Sequence, residues 1–251
     1  MILTAENYFS PEMNMEYMSC SQYKSFIPAL GGCEAAAMAK LKGEYERPLT
    51  KALLVGSFVD AYFEGTLKKF MDEHHDIFTK KNALRSEFQK ANEIIGRVKK
   101  DPCFMKFLSG EKQRIFTAKM FGIDWKIKVD SYYPSICIVD LKVVRNFKSM
   151  VFWRYDIQGA IYQEVVYLNT GERLPFYLAP ATKERTANFD IFQIPQDILS
   201  GALYEVEANI PRIVDVKNGV AEPVMCGECD YCKSIKDAKI RDYSELILGG
   251  I

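Results

Sequence analysis

Lys128-Val-Asp130-Ser-Tyr-Tyr-Pro134 and Ile136-Cys-Ile-Val-Asp140-Leu-Lys142-Val-Val144 decide how this chain folds. In Trp125–Tyr132, Trp125, Ile127 and Val129 alternate with Lys126, Lys128 and Asp130, the period of a strand with one buried face. Ile136–Val144 is almost wholly apolar and reads as a buried strand. Pro134-Ser135 turns the chain between the two, so antiparallel pairing brings Asp130 close to Asp140. Residues two apart on a strand share a face, so Asp140 and Lys142 project together.

Two carboxylates and a lysine therefore converge on one place of a sheet. Close carboxylates repel unless a cation sits between them. A divalent ion is the usual answer, and hard oxygen ligands suit Mg²⁺ or Mn²⁺. Such an ion activates water and stabilises charge on a phosphate in flight. A neighbouring lysine orients or deprotonates the water and screens the developing charge. An isolated D-x-K reads more readily as a surface salt bridge. Within an apolar strand, however, charged groups are costly unless they pair or work.

Outward from this hairpin, helices are expected over residues 21–42 (Ser21 as cap, Gly43 as stop), 49–64 and 84–99, with a short one after Asp101-Pro102. A strand over 114–121 and a turn at Gly122-Ile-Asp124 precede the hairpin. A helix over 152–168, strands over 174–182 and 189–194, and a helix over 195–210 follow it. That order implies an α/β or α+β fold on one central sheet. Residues 1–251 are expected to form a single domain: a helical part over 21–110, a sheet core over 111–195, and a C-terminal helix with a cysteine-rich tail over 196–251.

The 251 residues are 48% hydrophobic and 26% charged, enough to bury a core and too apolar for a disordered chain. Lys+Arg and Asp+Glu both number 33, a balance that argues against a protein that merely coats nucleic acid. The charge is uneven, however. Residues 97–128 hold nine cations against three acids, a basic stretch running up to Asp130 and suited to a phosphodiester. Lys183 and Arg185 are weaker candidates of the same kind, and His74-His75 reads as surface loop. No apolar run reaches the roughly 20 residues of a membrane helix. The N-terminus lacks a signal peptide's basic start and apolar core, so a soluble cytoplasmic protein is expected.

The seven cysteines are poor material for disulfides in that compartment. Cys226-Gly-Glu-Cys229-Asp-Tyr-Cys232 instead places three thiols within seven residues, a metal-binding pattern that needs a fourth ligand. Cys103 and Cys137 read as core residues.

The array Asp130…Asp140-Leu141-Lys142, with a following helix that bears Gln158 and Tyr162, resembles the PD-(D/E)XK nuclease superfamily. It is most similar to the phage and prophage RecE-type exonucleases (exodeoxyribonuclease VIII-like). Further matching stretches are Ser21-Gln-Tyr-Lys24, Cys33-Glu-Ala35, Gly56–Gly65, Tyr155–Gln163, Leu174–Ala179 with Thr182-Lys183-Glu184, and Cys226–Cys232, together covering nearly the whole chain. The resemblance implies a PD-(D/E)XK core with a central mixed β-sheet flanked by helices. It implies Asp130 and Asp140 as ligands of Mg²⁺ or Mn²⁺, the Leu141 carbonyl as a further ligand, and Lys142 as the catalytic lysine. Gln158 and Tyr162, one helical turn apart, would face the site. Many relatives carry a metal-binding histidine on the early helix; Asp60 stands there in this chain, with Glu64 one turn on as its rival.

Some RecB-like nucleases hold a 4Fe-4S cluster with one upstream and three C-terminal cysteines. Cys33 with Cys226, Cys229 and Cys232 resembles that layout, and Cys20 competes with Cys33. The C-x2-C-x2-C spacing is tighter than theirs, which keeps Zn²⁺ as the alternative. The implied substrate is linear duplex DNA, digested 5′ to 3′ in the cytoplasm of a bacterial host. The implied partners are a single-strand annealing protein and further copies of the chain. A non-catalytic DNA-end or recombinase-binding protein, and an endonuclease or single-strand nuclease, are the rival readings.

Overall fold

The computed structural model describes residues 2–46, 48–238, 240 and 242–244. Among the described residues, seven α-helices precede the sheet: α1 (Pro11–Glu16), α2 (Cys20–Phe26), α3 (Glu34–Leu41), α4 (Lys51–Glu64), α5 (Leu67–Glu73), α6 (Ser86–Val98) and α7 (Pro102–Phe107). Then come β1 (Glu111–Met120), β2 (Ile123–Tyr133), β3 (Cys137–Val144), α8 (Tyr155–Thr170), β4 (Phe176–Thr182), β5 (Phe192–Gln193), α9 (Gln196–Lys217) and α10 (Asp230–Ser234). The five strands lie in the order of the chain; β3 and β4 are parallel and the other pairs antiparallel. The parallel pair needs a crossover, and α8 supplies it. This is the mixed sheet flanked by helices that the sequence implied.

Helices cover both faces of the sheet. On one face Trp125, Ile127, Val129, Ile138, Phe176 and Leu178 pack with residues of α2, α3, α8 and α9. On the other, Val139, Leu141, Ala179 and Ala181 pack with residues of α4, α6 and α7. β3 thus sends apolar residues both ways, which is why its sequence reads as a continuous run. Gly159 lets α8 close on the sheet: a Cβ there would lie 2.8 Å from Phe176 Cδ1 and 2.9 Å from Leu199 Cδ2.

Several expectations change. The helix over 21–42 is two helices. Pro28 has no N–H and holds Ile27 extended (φ −92°, ψ 111°), and Gly31 is left-handed at φ +77°. Ser19, not Ser21, caps α2. The hairpin turn is Phe121-Gly122, both at positive φ, which sets Met120 against Ile123. α1 and α5 had no counterpart in the sequence reading. α9 runs seven residues beyond Ile210, straight through Pro211. An interior proline costs about 3 kcal/mol. Burial of Ile213 and Val216 offsets it, at about 1.5–3 kcal/mol each. Cys103 is exposed, because the neighbouring Phe104 is the residue that α7 buries; Cys137 is buried as expected.

Lys126 was placed on an open polar face and is 1% exposed. The N-terminal segment covers it. Met18 bridges Trp125 in parallel, and the Lys126 ammonium donates to the Tyr8 carbonyl and to Asn14 Oδ1. Burial lowers its pKa to about 8.

Candidate active site

The ladder between β2 and β3 is short. It pairs Tyr133 with Cys137, Tyr132 with Ile138 and Ser131 with Val139, then stops. The next pair would be Asp130 and Asp140. Instead, Asp130 Oδ2 accepts the Leu141 N–H at 2.9 Å, so a side chain takes the place of a backbone partner. The strands separate beyond that point. Among the described residues, the edge of β2 that β3 leaves open is used further along by Met18. The two carboxylates lie at the mouth of this split.

Asp140 is 2% exposed. Its Oδ1 accepts from Gln158 Nε2 at 2.8 Å, and its Oδ2 forms an ion pair with Lys142. Burial raises the Asp140 pKa to about 7, against the pull of Lys142. Lys142 is itself desolvated, but the carboxylates of Asp140, Asp130 and Asp60 outweigh that and raise its pKa. Asp60 projects from α4 into the same charge cluster. Burial and then Asp130 push its pKa well above that of an ordinary carboxyl.

A narrow cleft with ≈ 10 Å³ of room for a water-sized particle opens here, lined by Asp60, Phe63, Glu64, Leu108, Lys112, Gln113, Asp130 and Leu141. Two buried side-chain oxygens on its wall have no hydrogen-bond partner: Asp60 Oδ1 and Gln113 Oε1. Buried acceptors are normally satisfied, so oxygen orphans beside three carboxylates fit a hard divalent cation. Asp60, Asp130 and Asp140 could hold it, with Leu141 and Glu64 also on the cleft wall.

The structure therefore brings Asp60, Asp130, Asp140, Leu141, Lys142 and Gln158 together. Tyr162 is buried within reach of the same charges: burial first, then Asp140 and Asp130 among its neighbours, raise its pKa. Its hydroxyl donates to the Lys128 carbonyl at 3.3 Å, which ties α8 to the open edge of β2.

Three residues escaped the sequence reading. Gln113 lies on β1 opposite Asp130, between the ladder pairs Lys112–Ser131 and Arg114–Val129, and donates from Nε2 to Asp130 Oδ1 at 3.1 Å. Its φ of +52° is a costly backbone state for glutamine. The hairpin register could have revealed it, had the turn been placed at 121–122. The Tyr155 ring lies 5.5 Å from both the Lys24 and the Lys142 ammonium groups. Tyr155 and Lys24 both lie in stretches that carry the resemblance, Tyr155–Gln163 and Ser21–Lys24, without being singled out there as site residues.

The basic stretch does not form one wall. Arg97 donates to the Ala187 carbonyl at 2.6 Å and lies over the Phe189 ring. Lys126 is buried, and Lys112 reaches the Leu108 carbonyl at the cleft.

At the far end of α3, Cys33, Cys226, Cys229 and Cys232 bring their Sγ atoms within 4.8 Å of one another. Cys33 and Cys232 are 3.6 Å apart, and Cys226 and Cys232 are 3.9 Å apart. The N–H of Cys229 points at Cys226 Sγ (3.3 Å) and that of Cys232 at Cys229 Sγ (3.4 Å), contacts that favour thiolates. Backbone N–H groups lower the Cys226 pKa to about 6, while burial raises that of Cys229 to about 12. Glu34 fastens this corner. It pairs with Arg212 through two bonds (3.0 and 2.7 Å) and accepts the Val224 N–H at 2.8 Å. Cys20 lies in the core, outside the group.

A split hairpin that presents two aspartates and a lysine, with a glutamine from the crossover helix, defines a PD-(D/E)XK-type core. The chain belongs to the family described as "PDDEXK-like domain of unknown function (DUF3799)", whose profile matches residues 19–235. It is similar over its full length to the crystal structure of a "Putative exonuclease" from Eubacterium rectale, with 46% identity, 100% of both chains covered and a TM-score of 0.96. A second structure, of SSO0001, is 16% identical over 88% of this chain and 96% of its own, with a TM-score of 0.34. No curated protein matches. Among the described residues, no helix is long and apolar enough to cross a membrane.

Proposed function

We propose that this chain is a Mg²⁺- or Mn²⁺-dependent exodeoxyribonuclease that hydrolyses phosphodiester bonds at the ends of linear duplex DNA. The observation that carries it is the convergence of Asp60, Asp130 and Asp140 around Lys142 beside a cleft with unpartnered buried oxygens. The E. rectale relative's description supports an exonuclease over the rival readings. Digestion runs 5′ to 3′ and leaves a single strand for an annealing protein in phage-type recombination, by homo-oligomers, as the family resemblance implies.

A bound divalent ion would supply Lewis-acid stabilisation of the phosphate and a nucleophilic water near neutral pH. The chain does the rest. Gln158 and Gln113 fix the rotamers of Asp140 and Asp130 by donating to their Oδ1 atoms. The Leu141 N–H fixes the second oxygen of Asp130. Lys142 stays protonated beside them, orients the attacking water and screens charge on the phosphate.

The four thiolates hold a structural metal that ties the tail to α3. An ion with sulfur ligands at about 2.3 Å in a tetrahedron separates them by about 3.8 Å. The 3.6 and 3.9 Å separations support one such ion, Zn²⁺, while the cysteine layout supports the 4Fe-4S cluster. Anaerobically purified protein decides between them: absorbance near about 400 nm marks the cluster, and colourless protein with one zinc marks the ion.

The catalytic test is digestion of end-labelled linear and closed circular duplexes with Mg²⁺ or Mn²⁺, using wild type and Lys142→Ala. Linear duplex should be digested from its ends by wild type alone. Cutting of the circle would exclude an exonuclease. Equal activity in the variant would exclude the site.

A further inference from the structure

The turn from Phe147 to Trp153 joins β3, which carries Asp140 and Lys142, to α8, which carries Gln158. Its tip is unusually open for its composition. Val151 is 79% exposed, Phe152 90% and Trp153 62%. Single exposed apolar residues are ordinary; three in succession, two of them aromatic, are not.

The tip is also held firmly. Asn146 and Ser149 cap each other through side chain and backbone. Phe147 packs edge-on against Phe192, with ring centroids 5.2 Å apart. Lys24 donates to the Trp153 carbonyl at 2.6 Å. Arg154, at φ +45°, is locked by Asp156 and Glu205 (2.9 and 2.7 Å). The rings are thus presented to solvent by a rigid support.

Two features name the occupant. From Leu141 to Tyr155 the chain has four cations and no acid. Lys142 and Arg154 are neutralised by carboxylates, but Arg145 and Lys148 are exposed, and among the described residues no carboxylate pairs with them. The tip is also continuous with the carboxylate cluster: Lys24, which holds Trp153, shares the Tyr155 ring with Lys142. Flat apolar rings beside unpaired cations complement a polyanion with exposed planar bases, which is single-stranded and not duplex DNA.

We propose that Phe152 and Trp153 are a stacking platform for the unpaired bases of single-stranded DNA, with Arg145 and Lys148 on its phosphates. Its service to a strand entering or leaving the cleft rests on the nuclease reading; the platform itself does not.

The chain has two tryptophans. Trp125 is wholly buried, so Trp153 is the one that added DNA can reach. Oligothymidylate titrated into metal-free full-length protein in EDTA should quench the emission of Trp153. Trp153→Phe should abolish the quench and keep most of the affinity. Phe152→Ala with Trp153→Ala should weaken oligothymidylate binding by at least about 5-fold, the lower limit for one lost base stack, and leave blunt duplex affinity unchanged. No quench in wild type, or wild-type affinity in the double variant, overturns the platform. So does a double variant that changes oligomeric state by sedimentation and still binds the oligomer normally, because the tip is then a contact between copies. Quenching without cleavage under any metal would sink the nuclease reading and leave the platform standing. Lys142-dependent cleavage without quenching would do the reverse.

Discussion

Lys142→Met removes the ammonium set against Asp140 and leaves Asp60, Asp130 and Asp140 facing one another. Breaking one side of a buried ion pair costs about 3–5 kcal/mol. With an unfolding entropy of about 2.1 cal/mol/K per residue over 251 residues, the metal-free protein should melt about 6–10 °C lower. The loss should depend on pH. The folded pKa of Asp140 is raised to about 7, so its protonated form contributes stability that is lost as pH rises through that value. Without Lys142 the pKa rises further, so the gap between wild type and variant opens above pH 7 and narrows at pH 6. Mn²⁺ supplies the missing cation and should raise the melting temperature of the variant more than that of wild type. Cleavage should nevertheless fall by at least about 100-fold, because the ammonium that orients the water is gone. Scanning fluorimetry at pH 6 and pH 8, with EDTA or Mn²⁺, reads all of this but cleavage. Equal melting temperatures at pH 8, or equal Mn²⁺ shifts, would refute the reasoning.

Gln158→Leu takes the donor from Asp140 Oδ1, a bond to a charged group worth about 1.5–3 kcal/mol, so kcat/KM on linear duplex should fall about 10- to 100-fold. Gln113→Gly relieves a positive φ and frees Asp130; activity should drop with no loss of thermal stability, as steady-state rates and melting curves would show. Cys33→Ser, or a strong chelator on wild type, should lower the metal content and expose the segment around 222–232 to limited proteolysis. Lys126 titrates at about 8 in the fold against 10.5 unfolded, so between those values the folded state has lost a proton that the unfolded chain keeps. Wild type should gain on Lys126→Met in that window by up to about 1.4 kcal/mol per pH unit in denaturant titrations.

Much of the sheet was written in local pattern. Trp125, Ile127 and Val129 alternate because they share the face of β2 that packs into the core. β3 reads as unbroken because it is covered on both sides. Two residues of spacing put Asp140 and Lys142 on one face whatever else happens. The cysteine tail was equally legible, since C-x2-C-x2-C confines three sulfurs within a short loop, and Cys33 does meet them.

What tertiary structure decided is where these patterns stop. The β2–β3 ladder ends at Ser131–Val139, and that split, which no periodicity announces, makes room for Gln113, Gln158 and Asp60 beside the carboxylates. Lys126 looks solvent-facing by alternation and is buried, because residues near Tyr8 and Asn14 fold over it from more than a hundred positions away. Tyr162 shares the face of Gln158 but spends its hydroxyl on β2. Local sequence encodes each residue's own backbone preference and face. Which groups share a cleft depends on how separate elements pack, an outcome of the whole chain's burial that no single stretch contains.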